Sequence, residues 1–126
     1  MTATPLSTAF ARGNYLSLET FRANGTGIRT PVWYAADDET LYIYTRLDAG
    51  KTKRVRRNAA VRVALCDIRG RVLGPWIDTT ARIVGDAEYA HGMALLDRKY
   101  WPWKKFGDIL WQLGRQRPRA VIAIRG

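Results

Sequence analysis

The sequence predicts a mainly β fold, an antiparallel barrel or sandwich with two to three peripheral helices. Three observations carry this reading. Six short runs are β-branched or aromatic in character and are bounded by Gly, Pro, Asn or Asp. Only two or three windows have helical spacing, and strands and helices do not alternate in the βαβ order that a doubly wound sheet needs. At 126 residues the chain has the length of one domain with one core.

Residues 1–13 carry no periodic pattern and read as a mobile lead-in. The predicted strands are Tyr15–Phe21, Arg29–Ala35, Leu41–Thr45, Val61–Cys66, Trp76–Val84 and Arg119–Arg125. Period two is clearest in the fifth, where Ile77, Thr79, Ala81 and Ile83 alternate with Asp78, Thr80 and Arg82, so that strand has one wet face. Asn24-Gly25-Thr26-Gly27 and Asp37-Asp38-Glu39 stand where hairpin connections are needed. Residues Asp86–Lys99 read as a helix with Tyr89, Met93, Leu96 and Tyr100 on one face. Asp86 and Glu88 lie at its start and Arg98 and Lys99 at its end, the order the helix dipole favours, and Pro102 closes it. A second helix is expected over Lys104–Leu113, ending at Gly114, and a short one over Lys51–Asn58. Residues 85–118 therefore form a helical insertion before the last strand; no repeat or linker interrupts the chain.

Composition excludes several chemistries. Hydrophobic residues at 47 % and charged residues at 25 % mark ordinary globular material. One Cys and one His leave no disulfide framework and no Cys/His zinc site, so no metal is expected. The lone thiol suits a reducing, cytoplasmic location. Neither a secretory leader nor an apolar run of about 18 residues is present. No paired carboxylates and no Ser/His/Asp order stand out, so no catalytic residue is assigned. His91 reads as a surface or capping histidine, and Cys66 as a small buried hydrophobe.

The charge is the informative number. Against 11 Asp and Glu stand 21 Lys and Arg, a net charge of +10, which points to an anionic partner. Six cations lie between Arg46 and Arg57 against one carboxylate, Asp48, and seven more between Arg98 and Arg119. The second group is interleaved with aromatic rings, but Trp103, Phe106, Leu110 and Leu113 recur at helical spacing and read as an inward face. Thr45-Arg-Leu-Asp-Ala-Gly50-Lys51-Thr52 is nearly a nucleotide phosphate loop. It lacks the first glycine and the parallel sheet that loop requires. What survives is that Lys51, Lys53 and Arg54 stand at a predicted helix N-terminus, where the dipole disfavours cations unless an anion is bound; the bland alternative is a solvated basic face.

Arg29-Thr30-Pro31-Val32-Trp33-Tyr34, then Leu41-Tyr42-Ile43-Tyr44-Thr45-Arg46, then Gly50–Asn58 and Val61–Cys66, in this order and spacing, resemble the pyridoxamine 5′-phosphate oxidase-like, FMN-binding split-barrel family. The nearest resemblance is to its actinobacterial deazaflavin (coenzyme F-420)-dependent oxidoreductases of group B. It covers about residues 14–84, and Arg119–Arg125 resembles the family's last barrel strand. The resemblance implies a six-stranded antiparallel split β-barrel and a cytoplasmic homodimer with cofactor sites at the subunit interface. It implies that Arg29, Thr30, Pro31, Val32 and Trp33 run beside the cofactor ring, and that Thr45, Arg46, Lys51 and Arg54 hold its phosphate. The surplus cations Lys53, Arg56 and Arg57 would meet the polyglutamate tail of coenzyme F-420. Trp76 and Trp33 are candidate pocket walls, or else core or interface rings. The implied activity is hydride transfer between the reduced deazaflavin and an unidentified small organic acceptor. The alternatives are an FMN-dependent oxidoreductase on the same fold, a flavin- or deazaflavin-binding protein without turnover, and, more remotely, a nucleic-acid-binding barrel. No substrate-phosphate motif of the vitamin B6 oxidases is found near the C-terminus.

Overall fold

The computed structural model describes residues 6–46, 49–99 and 119–125. The elements run α1 (Leu6–Ala9), β1 (Tyr15–Phe21), β2 (Gly27–Asp37), β3 (Thr40–Arg46), α2 (Gly50–Arg57), β4 (Ala60–Cys66), β5 (Ile77–Ile83), α3 (Asp86–Lys99) and β6 (Arg119–Arg125). All six predicted strands and two of the predicted helices are present. The expected helix Lys104–Leu113 lies outside the described residues, as do Tyr100 and Pro102.

The strands close antiparallel in the order β1-β2-β3-β6-β5-β4, a barrel and not a sandwich. Alternation builds its interior. Leu16 and Leu18, Leu41 and Ile43, Val61 and Val63, and Ile122 and Ile124 all point inward with Tyr34 and Ala81. At one end Leu6 and Phe10 plug the barrel, a packing that no sequence periodicity announces. The Glu39 carboxylate accepts from the Leu6 and Ser7 amides at 2.9 and 3.1 Å, and Tyr34 Oη donates to the Phe10 carbonyl at 3.0 Å. At the other end the buried Val55 of α2 completes the core.

β2 is two residues longer at each end than its apolar run, because hairpin pairing continues past the hydrophobic stretch. Its turn into β3 places Asp38 at φ 52°, a conformation Asp tolerates. The ladder between β2 and β3 runs only from Asp37↔Thr40 to Tyr34↔Ile43. Beyond that point Gly27–Trp33 pairs with β1 alone and Tyr44–Arg46 with β6 alone, so a split opens between the two strands.

α3 covers the outside of β2, β3 and β6. Leu96 packs with Ala35, Trp33 and Tyr44, and Met93 and Tyr89 pack on Tyr42, Val121 and Ala123. Gly92 permits the approach, since a Cβ there would stand 3.0 Å from both Tyr42 and Val121. Three polar contacts fix the helix register: Tyr42 Oη donates to Glu88 at 2.9 Å, Arg82 pairs with Glu88 at 2.7 Å, and His91 Nε2 lies 2.7 Å from Asp37.

Candidate functional site

The split gives β2 two unlike edges. The Arg22 amide donates to the Thr26 carbonyl at 2.9 Å, and this sets the alternation of the hairpin: positions 28, 30 and 32 turn their backbone groups to β1, and 27, 29, 31 and 33 turn theirs toward the split. Pro31, which has no N–H to donate, falls on the split side, where a strand tolerates it. Thr30 and Val32 are half-buried toward the barrel interior, and the Thr30 hydroxyl oxygen is buried without a hydrogen-bond partner. A buried hydroxyl without a partner is costly, and it marks this strand as one where a ligand polar group would be accommodated.

The outward side chains of β2 have other tasks. Arg29 Nε bonds Glu19 at 2.9 Å, and Arg62 reaches the other oxygen of the same carboxylate at 3.2 Å. Trp76 lies over both guanidiniums, 4.5 Å from Arg29 Cζ and 5.1 Å from Arg62 Cζ. Arg29 can thus offer a ligand in the split its backbone and not its charge. Trp33 is half-buried, edge-on to Tyr15 at 5.8 Å.

The end of β3 and the start of α2 are stapled together. The Arg46 carbonyl accepts from the Thr52 hydroxyl at 2.7 Å and from the Ala49 amide at 3.1 Å. Thr52 is fully buried and Thr45 nearly so. Ala49 stands at the N-cap without a side chain able to cap, and the first turn holds no acid. The N-terminus of α2 is therefore uncompensated from within the described residues, and an anion there would be favoured.

Lys51 is half-buried beside this staple, and its pKa is lowered first by burial and then by Arg54 and Arg46. Arg46, Lys51 and Arg54 thus share one neighbourhood. Lys53 is turned away from Lys51 by the helical pitch. It lies with Gly50, Arg54 and Arg57 on a face that, together with Arg22, Ala23 and Asn24 of the β1–β2 turn, lines an open cavity of about 490 Å³. Arg56 is exposed and does not line it. Arg54 stands between the two groups. Its Nε donates to the buried Thr20 hydroxyl at 2.6 Å, and its charge is disfavoured first by burial, then by Arg22 and Arg57. Gly50 makes room for it, since a Cβ there would meet the guanidinium at 2.9 Å.

Arg22, Thr20 and Asn24 have no signal in the sequence, because the β1–β2 turn meets α2 only through barrel closure. Lys99 is a further unforeseen residue: its Nζ donates to the Tyr34 carbonyl at 2.8 Å and sits 3.7 Å from the centre of the Tyr34 ring. Burial pushes its pKa down to about 8. Among the described residues no group of three or more His, Cys, Asp or Glu side chains could hold a metal ion.

A family model described as pyridoxamine 5′-phosphate oxidase matches residues 6–125. Among solved structures, an F-420 reductase is 21 % identical over 98 % of this chain and 94 % of its own, with a TM-score of 0.61. An FAD-binding protein from Mesorhizobium loti is 17 % identical over 94 % of this chain and 83 % of its own, with a TM-score of 0.62. A heme storage protein from Vibrio cholerae is 13 % identical over 97 % of this chain and 90 % of its own, with a TM-score of 0.66. At these identities the likeness is one of fold. No curated protein matches the sequence.

Proposed function

The chain belongs to the pyridoxamine 5′-phosphate oxidase family, and from that premise we propose that it is a deazaflavin (coenzyme F-420)-dependent oxidoreductase acting on a small organic acceptor. The observation that carries the reading is a split between the open edge of β2 and the end of β3, which leads within four residues into a cationic, uncapped helix start. Bound there, the cofactor supplies hydride chemistry, which agrees with the lack of an obvious catalytic constellation in the chain.

The chain's own part is binding, orientation and exclusion of water. The split-facing backbone of Arg29, Pro31 and Trp33 offers hydrogen-bonding groups to the polar edge of a planar ring. Thr30 brings an unpartnered hydroxyl to the same strand. Thr45, Arg46, Lys51 and Arg54 hold the phosphate, the ammonium as a point charge and the guanidiniums as forks. Trp33 and Trp76 serve as walls. The surplus of cations along α2 favours a cofactor with more negative charge than the single phosphate of FMN.

In this reading the protein is a cytoplasmic homodimer whose cofactor sites are completed across the interface. Ile68, Val72 and Leu73 of the loop after β4 are large and exposed, 66 %, 39 % and 59 %, and supply an apolar surface for such a partner. Among the described residues no helix is long and apolar enough to cross a membrane.

The test is a fluorescence titration of the purified protein with oxidised coenzyme F-420 and, in parallel, with FMN, followed by addition of candidate acceptors to the reduced complex. Micromolar or tighter binding of the deazaflavin together with acceptor-dependent reoxidation is expected. Preference for FMN would transfer the reading to an FMN-dependent oxidoreductase; deazaflavin binding without any turnover would make the protein a cofactor carrier; binding of neither would overturn the assignment.

A further inference from the structure

Two strands that stay extended past the end of their shared ladder call for a physical cause. β2 and β3 both do so beyond Tyr34↔Ile43, and open edges so close together ordinarily pair. Carrying the register onward puts Val32 opposite Thr45 and Pro31 opposite Arg46.

Backbone alternation, taken from both ends of the barrel, says which groups would meet. From the first hairpin, Pro31 turns its backbone toward the split. From the far side, the Val84 amide donates to the Val121 carbonyl at 3.1 Å, so Val121 faces β5, and Ala120 and Ile122 face Thr45 and Ile43. Arg46 therefore turns its backbone toward β2. Extension of the ladder beyond Trp33 and Tyr44 runs through the Pro31–Arg46 pair, and there it fails on both partners. Pro31 has no N–H to donate. The Arg46 carbonyl that would accept it already takes the Thr52 hydroxyl at 2.7 Å and the Ala49 amide at 3.1 Å, one donor for each lone pair. Thr52 is fully buried in the first turn of α2, and the same helix seats Val55 in the core, so the staple is part of the barrel end.

We propose that Pro31 and Thr52 are two independent locks that hold the split open in the free chain, Thr52 acting as a positioning residue through the Arg46 carbonyl. Either lock alone denies the pair its bond. The opening is built in and does not wait for a ligand to part the strands. That a cofactor ring fills it rests on the reading above; that it is held open does not.

Proton NMR of the full chain without ligand tests the locks. Val32 and Thr45 form a non-hydrogen-bonded pair in the continued register, so closure brings their α carbons to about 4.5 Å and their α protons into strong cross-relaxation. That cross-peak is expected only in Pro31→Ala/Thr52→Val, which supplies the donor and frees one lone pair. The wild type, each single variant, and Pro31→Ala/Thr52→Ser, which keeps the hydroxyl, are expected to lack it. The corresponding cross-peak of Ala36 with Leu41, a pair of the existing ladder, reports a folded hairpin in every sample. Thr52→Ala replaces Thr52→Val should the latter fail this check. An open split in the double variant would overturn the proposal. Closure in either single variant would do the same, since the residue left in place would then be no lock.

Fluorescence titration with oxidised coenzyme F-420 gives the second readout. The closed double variant is expected to bind at least about tenfold more weakly than Pro31→Ala, and Pro31→Ala/Thr52→Ser to bind as Pro31→Ala does. Closure with undiminished affinity would overturn the part the opening plays in binding. A wild type that binds no coenzyme would bring down the cofactor reading and leave the locks to the NMR result.

Discussion

Arg54 and Thr20 are joined by a 2.6 Å hydrogen bond from Nε to a hydroxyl that is only 1 % exposed, so the guanidinium bordering both groups of cations is fixed to the barrel wall. Without it Arg54 would be free to swing away from Arg22 and Arg57, whose charges disfavour its own.

Replacing Thr20 by Val keeps the shape and removes the acceptor. The variant is expected to bind coenzyme F-420 more weakly by about 1 kcal/mol, the net worth of one hydrogen bond, with a change in denaturant midpoint no larger than that. Parallel fluorescence titration and urea unfolding check it. Unaltered affinity would mean that Arg54 needs no anchor.

Lys51→Ala removes the half-buried ammonium beside the Arg46 staple. We expect a loss of about 1.5–3 kcal/mol in cofactor affinity, the range of a charge-assisted hydrogen bond. Stability should hold or rise slightly, because in the free protein the charge is disfavoured by burial, Arg54 and Arg46. Paired titration and thermal unfolding would separate the two effects, and undiminished binding would remove Lys51 from the site.

Glu19 is 7 % exposed and faces two guanidiniums that are 54 % and 36 % exposed. Glu19→Gln should destabilise the fold by about 1–2 kcal/mol, well under the value for a fully buried pair because solvent screens the arginines. It should also loosen Trp76, which would be read as a red shift in its emission. A stability loss with unchanged tryptophan emission would show that Trp76 is held by other contacts.

Lys99 gives a pH signature. Its folded pKa of about 8 lies below the value of 10.5 for a free lysine, so above pH 8 the unfolded chain binds more protons than the folded one. Stability should therefore rise with pH between about 8 and 10, by roughly 1–2 kcal/mol, and Lys99→Met should abolish the rise. Burial pushes Tyr34 up to about 12, and burial followed by Glu88 does the same to Tyr42, which gives the opposite slope only above pH 10. Urea midpoints at half-unit intervals from pH 7 to 10 measure it; a flat profile in the wild type would contradict the lowered value.

The strands were legible because their signals are local. Each is a short β-branched or aromatic run with punctuation at its ends, and the structure moves the boundaries by two residues at most. α3 matches its expected span, since charge order and apolar spacing agree within one window. α1 was not legible: its anchor, Glu39, is 33 residues away from Leu6, and four residues make no period. The site divides the same way. That Lys51–Arg57 is a cationic run is plain in the sequence, but its sorting by helical angle into Lys51 on one side and Lys53 with Arg57 on another appears only once the helix is docked. Arg22 joins them solely because the barrel closes. Arg29 lies on the strand with the open edge, while its guanidinium is committed to a carboxylate on the next strand.

A strand with one paired and one open edge keeps time in hydrogen exchange. Along Gly27–Trp33 the amides of Ile28, Thr30 and Val32 point to β1 and should exchange slowly, whereas those of Gly27 and Arg29 face the split and should exchange quickly. Pro31 contributes a silent beat. A planar ligand seated in the split would protect Arg29 and leave its neighbours as they were, so the alternation itself is a label-free report of occupancy.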